Sequence, residues 1–163
     1  MSLPRRARTE RRPLDSDATA DALDRFVLAQ EPVYDEVIGE LRRGHKTSHW
    51  MWFFFPQIAG LGRSEMSQYY AIASLEEARA YLAHPVLGTR LRECVNLLLA
   101  GPAGRSAEDI FGSVDAVKLR SSMTLFHRAA PNDPLFAQVL ERFDGGLADP
   151  ATDTLLRSTD PLL

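Results

Sequence analysis

What most limits how this chain can fold is the steady recurrence of helix start and stop signals around apolar stripes at helical spacing. Leu23, Phe26, Val27 and Gln30 follow an i, i+3, i+4, i+7 pattern behind the cap candidates Asp17 and Thr19. Pro32 suits the first turn of a second helix with an apolar face of Val33, Tyr34, Val37, Ile38 and Leu41, and Gly44 stops it. Ser64 is placed to cap a segment carrying Met66, Tyr69, Tyr70 and Ile72, and Ser74 with Glu77 forms a capping-box pattern before "LEEARAYLA". Pro85 can open the stripe Leu87, Leu91, Cys94, Val95 and Leu98, which Gly101 ends; Ser106 with Asp109 caps a short turn ending at Gly112. Ser113 then opens "VDAVKLRSSMTLFHRAA", while Asp133-Pro134 and Asp149-Pro150 each pair a cap with a first-turn proline before the last two helices. No sustained period-2 alternation and no Asn-Gly hairpin signal appear; "WFFF" is the only strand-like run. The expected fold is all-α.

At 163 residues the chain suits one domain, and 45% hydrophobic with 25% charged residues is an ordinary globular composition. No apolar run could span a bilayer, and the first residues hold no apolar signal region. The single cysteine, Cys94, cannot form an internal disulfide, which fits a reducing cytoplasm. Residues 1–14 carry five arginines against Glu10, a balance of +4, so the formal net charge of −3 leaves −7 for residues 15–163. Residues 1–14 are expected to be a disordered tail and residues 15–163 one domain. An acidic body argues against nucleic-acid binding other than through that tail.

One stretch carries the functional question: "TSHWMWFFFPQIAGLG", residues 47–62. Trp50 and Trp52 cannot share a helix face, so this segment wraps apolar surface around itself and must be buried on more than one side. The phenylalanines read as core; the tryptophans read equally as core or as a wall on which a flat ligand stacks, since each buried indole N–H needs an acceptor. His49, with Gln57 beyond Pro56, adds a hydrogen-bonding or acid–base group at the edge. A metal is not expected. His45 and His49 have helical ligand spacing, but Lys46 lies between them, and neither Cys94 nor His84 completes a set. The "GLGRS" that follows reads as a plain loop and cap.

A second polar group lies within "KLRSSMTLF", residues 118–126. Leu119, Met123 and Phe126 make one apolar stripe and Val114, Val117, Ser121 and Leu125 another, so this helix is expected to be central and largely buried. Lys118, Ser121 and Ser122 converge on one patch, with Thr124 close by. A desolvated lysine could activate a serine, the serines could bond back to their own helix, or Lys118 could hold an anion. No complete nucleophile, base and orienting group can be read from the spacing.

Taken together, "SHWMWFFFPQIAGLGRSEMSQYYAI", "YLAHPVLGTRL", "IFGSVDAVKLRSSMTLF" and "FDGGLADPATDTLL" resemble the bacterial domain-of-unknown-function family numbered eighteen-ten, whose members often bear the label "calpastatin". The resemblance spans about Leu23 to Leu156, implies a compact multihelical all-α domain and implies no activity. It also marks His49, Trp50, Trp52, Pro56, Gln57, Lys118, Ser121, Ser122 and Thr124 as lying in the family's hallmark motifs. The inhibitor label fails on physical grounds, because an inhibitor disordered until bound would lack these periodic stripes and eight phenylalanines.

The expectation is therefore a cytoplasmic helical domain with one pocket. His49, Trp50, Trp52 and Gln57 stand on one side, and Lys118 with Ser121, Ser122 and Thr124 on the other. The ligand expected there is small, planar and anionic, of the nucleotide kind, with no cofactor. The alternative is a structural or protein-interaction module in which both stretches are core. Oligomeric state and any reaction are not legible.

Overall fold

The computed structural model describes residues 18–159. The arginine-rich tail and the cap expected at Asp17 lie outside them. Ten helices form the described chain: α1 (residues 18–30), α2 (Tyr34–Arg43), α3 (Met51–Phe54), α4 (Glu65–Tyr69), α5 (Leu75–Ala83), α6 (Leu87–Ala100), α7 (Ala107–Phe111), α8 (Ser113–Ala129), α9 (Leu135–Asp144) and α10 (Pro150–Thr159). There is no strand among the described residues, only one parallel bridge between Ile58 and Ile72. None of the described helices is long and apolar enough to cross a membrane.

The punctuation read from the sequence works as local chemistry predicts. Gly44 ends α2 in the left-handed conformation (φ +70°), and the Ser64 and Ser74 hydroxyls accept from the N–H groups of Ser67 and Glu77. Glu77 reaches back to the Ala73 N–H at 3.0 Å, and Ser106 with Asp109 forms a full reciprocal capping box. Asp133 and Asp149 accept from the N–H groups of Leu135 and Thr152, so both Asp-Pro pairs start helices. Pro85 does not open α6 alone: the His84 ring Nδ1 accepts from Val86 and Leu87, and Gly88 lets α6 approach the Leu82 carbonyl, where a Cβ would sit 2.1 Å from the oxygen.

α8 is the axle, with α5, α7, α9 and α10 packed around it. Leu119, Met123, Leu125 and Phe126 are fully enclosed. The second stripe read on this helix is buried only from Ser121 onward: Val114 and Val117 are 70% and 63% exposed, because in the first turns of α8 the packed face is that of Ala116 and Leu119 and the valines lie on the other side. The strand-like run forms the single turn α3, and Met51, Phe53, Phe54 and Phe55 all enter the core. Gln30, buried on α1, donates to the Phe53 carbonyl and to Tyr81 Oη, which ties the end of that turn to α5.

Candidate functional site

The loop between α2 and α3 is organised by a residue the stripe analysis passed over. Glu40 lies on the buried face of α2, fully enclosed, between Val37 and Leu41. Its Oε1 accepts from the backbone N–H of Thr47 (2.7 Å), that of Ser48 (3.0 Å) and the indole N–H of Trp50 (3.0 Å), and its Oε2 from the Ser48 hydroxyl. Burial disfavours its charge, but the Ser48 hydroxyl, the two backbone donors and the indole outweigh it and hold the carboxyl at about 2. The sequence did carry a signal, an acid inside an apolar stripe at three residues from Val37.

That knot fixes what the two tryptophans can do. Trp50 is 1% exposed, edge-on to Phe54 and Phe111, and offers no face to a ligand. Trp52 is only partly buried, and its indole N–H finds no acceptor among the described residues. Each ring has a lysine ammonium 5.0 Å from its centroid, Lys46 over Trp50 and Lys118 over Trp52. These are the only lysines and the only tryptophans in the chain.

Asp115, in the first turn of α8, joins the two lysines. Its Oδ2 is 2.9 Å from Lys46 Nζ and its Oδ1 3.3 Å from Lys118 Nζ, three residues along the same helix. Lys46 also donates to the Ser48 carbonyl and has a side chain only 7% exposed, while Lys118 retains 18%. The two segments are further locked by the Lys46 N–H on the Ile110 carbonyl at 2.8 Å and by Arg105 donating to the Gly44 carbonyl at 2.7 Å.

Lys118 opens onto a shallow pocket of about 410 Å³ lined by Gln57, Leu61, Gly62, Ser67, Ser113, Val114, Val117 and Lys118. The Ile72 N–H on the Gln57 carbonyl, 2.8 Å, pins Gln57 at its edge. Gly60 has φ +104°, and a Cβ at Gly62 would meet Ser67 Cβ at 2.2 Å, so each of these glycines is required where the loop turns over the pocket. α4, which follows, is a five-residue turn capped by its own Ser64.

The sequence candidates thus divide. Gln57 and Lys118 meet at the pocket, with Trp52 against the lysine. Trp50 belongs to the core, and His49 is exposed and does not line the pocket. Ser121 bonds the Val117 carbonyl and Asp149, and Thr124 accepts from the Asp149 N–H while donating to the Arg120 carbonyl, so these two hydroxyls build the start of α10. Ser122 is fully buried with an unpartnered hydroxyl, one turn from Lys118. With Lys118 paired to Asp115 and Ser121 bonded to α10, the pair is not arranged as amine base and nucleophile. Among the described residues no three His, Cys, Asp or Glu side chains are grouped as metal ligands.

Comparison with known proteins gives a family and a fold. The profile of a family described as "Protein of unknown function (DUF1810)" matches residues 20–156. The crystal structure of the conserved hypothetical protein Rv1873 from Mycobacterium tuberculosis is similar, with a TM-score of 0.80 and 53% identity, covering 82% of this chain and 95% of that one. No curated protein matches. Neither description names an activity, protease inhibition included.

Proposed function

The chain belongs to the DUF1810 family, and from its site we propose that it is a helical domain that binds a small, negatively charged ligand in the pocket between the aromatic stretch and the start of α8. One observation carries this reading: Gln57 of the first stretch and Lys118 of the second line the same open pocket. Its volume, about 410 Å³, is in the usual range for small-molecule sites. Support also comes from Trp52, whose ring face carries the Lys118 ammonium 5.0 Å from its centroid and so holds that lysine beside the aromatic stretch. Recognition would combine the Lys118 ammonium, the Gln57 amide and the Ser67 and Ser113 hydroxyls with the apolar surfaces of Leu61, Val114 and Val117. Stacking between two indoles plays no part, because Trp50 is sealed.

The test is a thermal-shift screen of small anionic and neutral metabolites on the wild type, Lys118→Met and Gln57→Ala. A ligand at one hundred times its Kd stabilises by about 2.7 kcal/mol, a rise of several degrees in Tm for a chain of this size. That rise should vanish in Lys118→Met. A well-folded wild type that responds to nothing in the screen, or equally in both variants, contradicts the reading. A second reading, a protein-interaction module, draws on the exposed Val114 and Val117 beside the same pocket. It predicts a wild type that shows no small-ligand shift and a protein contact that is abolished by replacing both valines with serine.

A further inference from the structure

Resting on that reading, we infer that the pocket selects a ligand with a single negative charge and an apolar body, a monocarboxylate rather than a phosphate ester. The reasoning is local charge balance. Among the described residues Lys118 is the only charged one lining the pocket, and its counter-ion Asp115 is shared with Lys46. Two ammonium groups about one carboxylate leave one positive charge uncompensated. Lys46 is enclosed, held by Asp115 and the Ser48 carbonyl, so the surplus faces outward at Lys118. Two further carboxylates stand at this loop, Glu40 with its four donors and Glu36, whose Oε1 is 2.6 Å from the Ser48 hydroxyl, and neither forms an ion pair with either lysine among the described residues.

A monoanion brings that trio to neutrality. A dianionic phosphoryl group would have to shed a much larger hydration shell, and among the described residues no further cation lines the pocket to compensate its second charge. Sites built for phosphate gather arginines or a glycine-rich turn of backbone N–H groups. Among the described residues no arginine lines the pocket, and the loop glycines serve a turn and a close contact with Ser67. The remaining surface is Leu61, Val114 and Val117, two of them among the most exposed apolar side chains of the described residues, which suits an alkyl or aryl body.

Three probes with one alkyl chain test the inference by calorimetric titration of the whole protein: hexanoate, hexyl phosphate and hexanamide. Hexanoate should bind at least about tenfold more tightly than either of the others. Lys118→Met should remove that advantage, and Asp115→Asn, by leaving a second positive charge uncompensated, should shift the preference toward hexyl phosphate by about tenfold. If hexyl phosphate binds the wild type more tightly and is lost in Lys118→Met, the charge class is overturned while the pocket stands. Equal binding of hexanamide and hexanoate also overturns it. If none of the three binds folded wild-type protein, both the inference and the pocket reading fall. The wild-type comparison decides the charge class even if Asp115→Asn does not fold.

Discussion

One residue separates Trp50 from Trp52, and each ring carries a lysine on its face, yet the two halves of this arrangement have opposite characters. Around Trp50 every polar group is answered: the indole bonds Glu40, Glu40 takes four donors, and Lys46 is buried on Asp115. Around Trp52 the accounts stay open: the indole N–H has no acceptor, Lys118 shares its counter-ion, and a pocket lies alongside. The difference teaches that residue type did not decide the role of these side chains. Closure did. A satisfied buried cluster stiffens a fold, whereas a partly satisfied one at the surface is poised for a partner.

The sharpest way to break the comparison is Glu40→Ala. It strips the carboxylate from four donors, two of them backbone, and should cost about 3–5 kcal/mol in chemical denaturation. That is a large share of the roughly 5–15 kcal/mol that holds such domains folded. Loss below about 1 kcal/mol would mean the knot around Trp50 is not the structural half.

Acid unfolding comes next in size. The Glu40 carboxyl, at about 2 in the folded chain against an ordinary 4.5, binds its proton more readily when unfolded. Its contribution is therefore complete above pH 4.5 and is lost as pH falls from there through about 2. At about 1.4 kcal/mol for each pH unit across that interval, the linkage is on the order of 3 kcal/mol. Urea midpoints measured from pH 5 to 2 should fall in the wild type and fall less steeply in Glu40→Gln, the remaining slope coming from Asp109, Asp133 and Asp153, whose carboxyls are also held down by their hydrogen-bond partners.

The fold was legible because its determinants are local. Ser74, Ser106 with Asp109, and the Asp-Pro pairs announce helix starts within four residues, and the 3.6-residue stripes announce faces. The site was only half legible. Nothing in the aromatic stretch itself distinguishes Trp50 from Trp52, since what seals the first is Glu40, ten residues back across a loop, and Phe111 from another helix. Ser121 and Thr124 looked like ligand groups, yet their partner is Asp149, brought to them by α10. Val114 and Val117 keep the helical spacing of a buried stripe, but the neighbours that pack on this end of α8 bury Ala116 and Leu119 and leave the valine face to solvent.

A smaller effect sharpens the contrast between the tryptophans. Trp50→Ala should cost about 3–5 kcal/mol and Trp52→Ala about 2 kcal/mol, because only the first is wholly enclosed and bonded. Equal losses would erase the distinction. Smallest of all, Lys118→Met should change stability by less than about 1 kcal/mol, since its ion pair with Asp115 is partly solvated.

The most direct measurement follows the two indole N–H signals in a proton–nitrogen correlation spectrum while hexanoate is added. The account predicts that the Trp52 signal, beside Lys118 and without an acceptor, moves saturably, while the Trp50 signal, held by Glu40, stays in place. A Trp52 signal that never moves, or a Trp50 signal that moves as far, would contradict it.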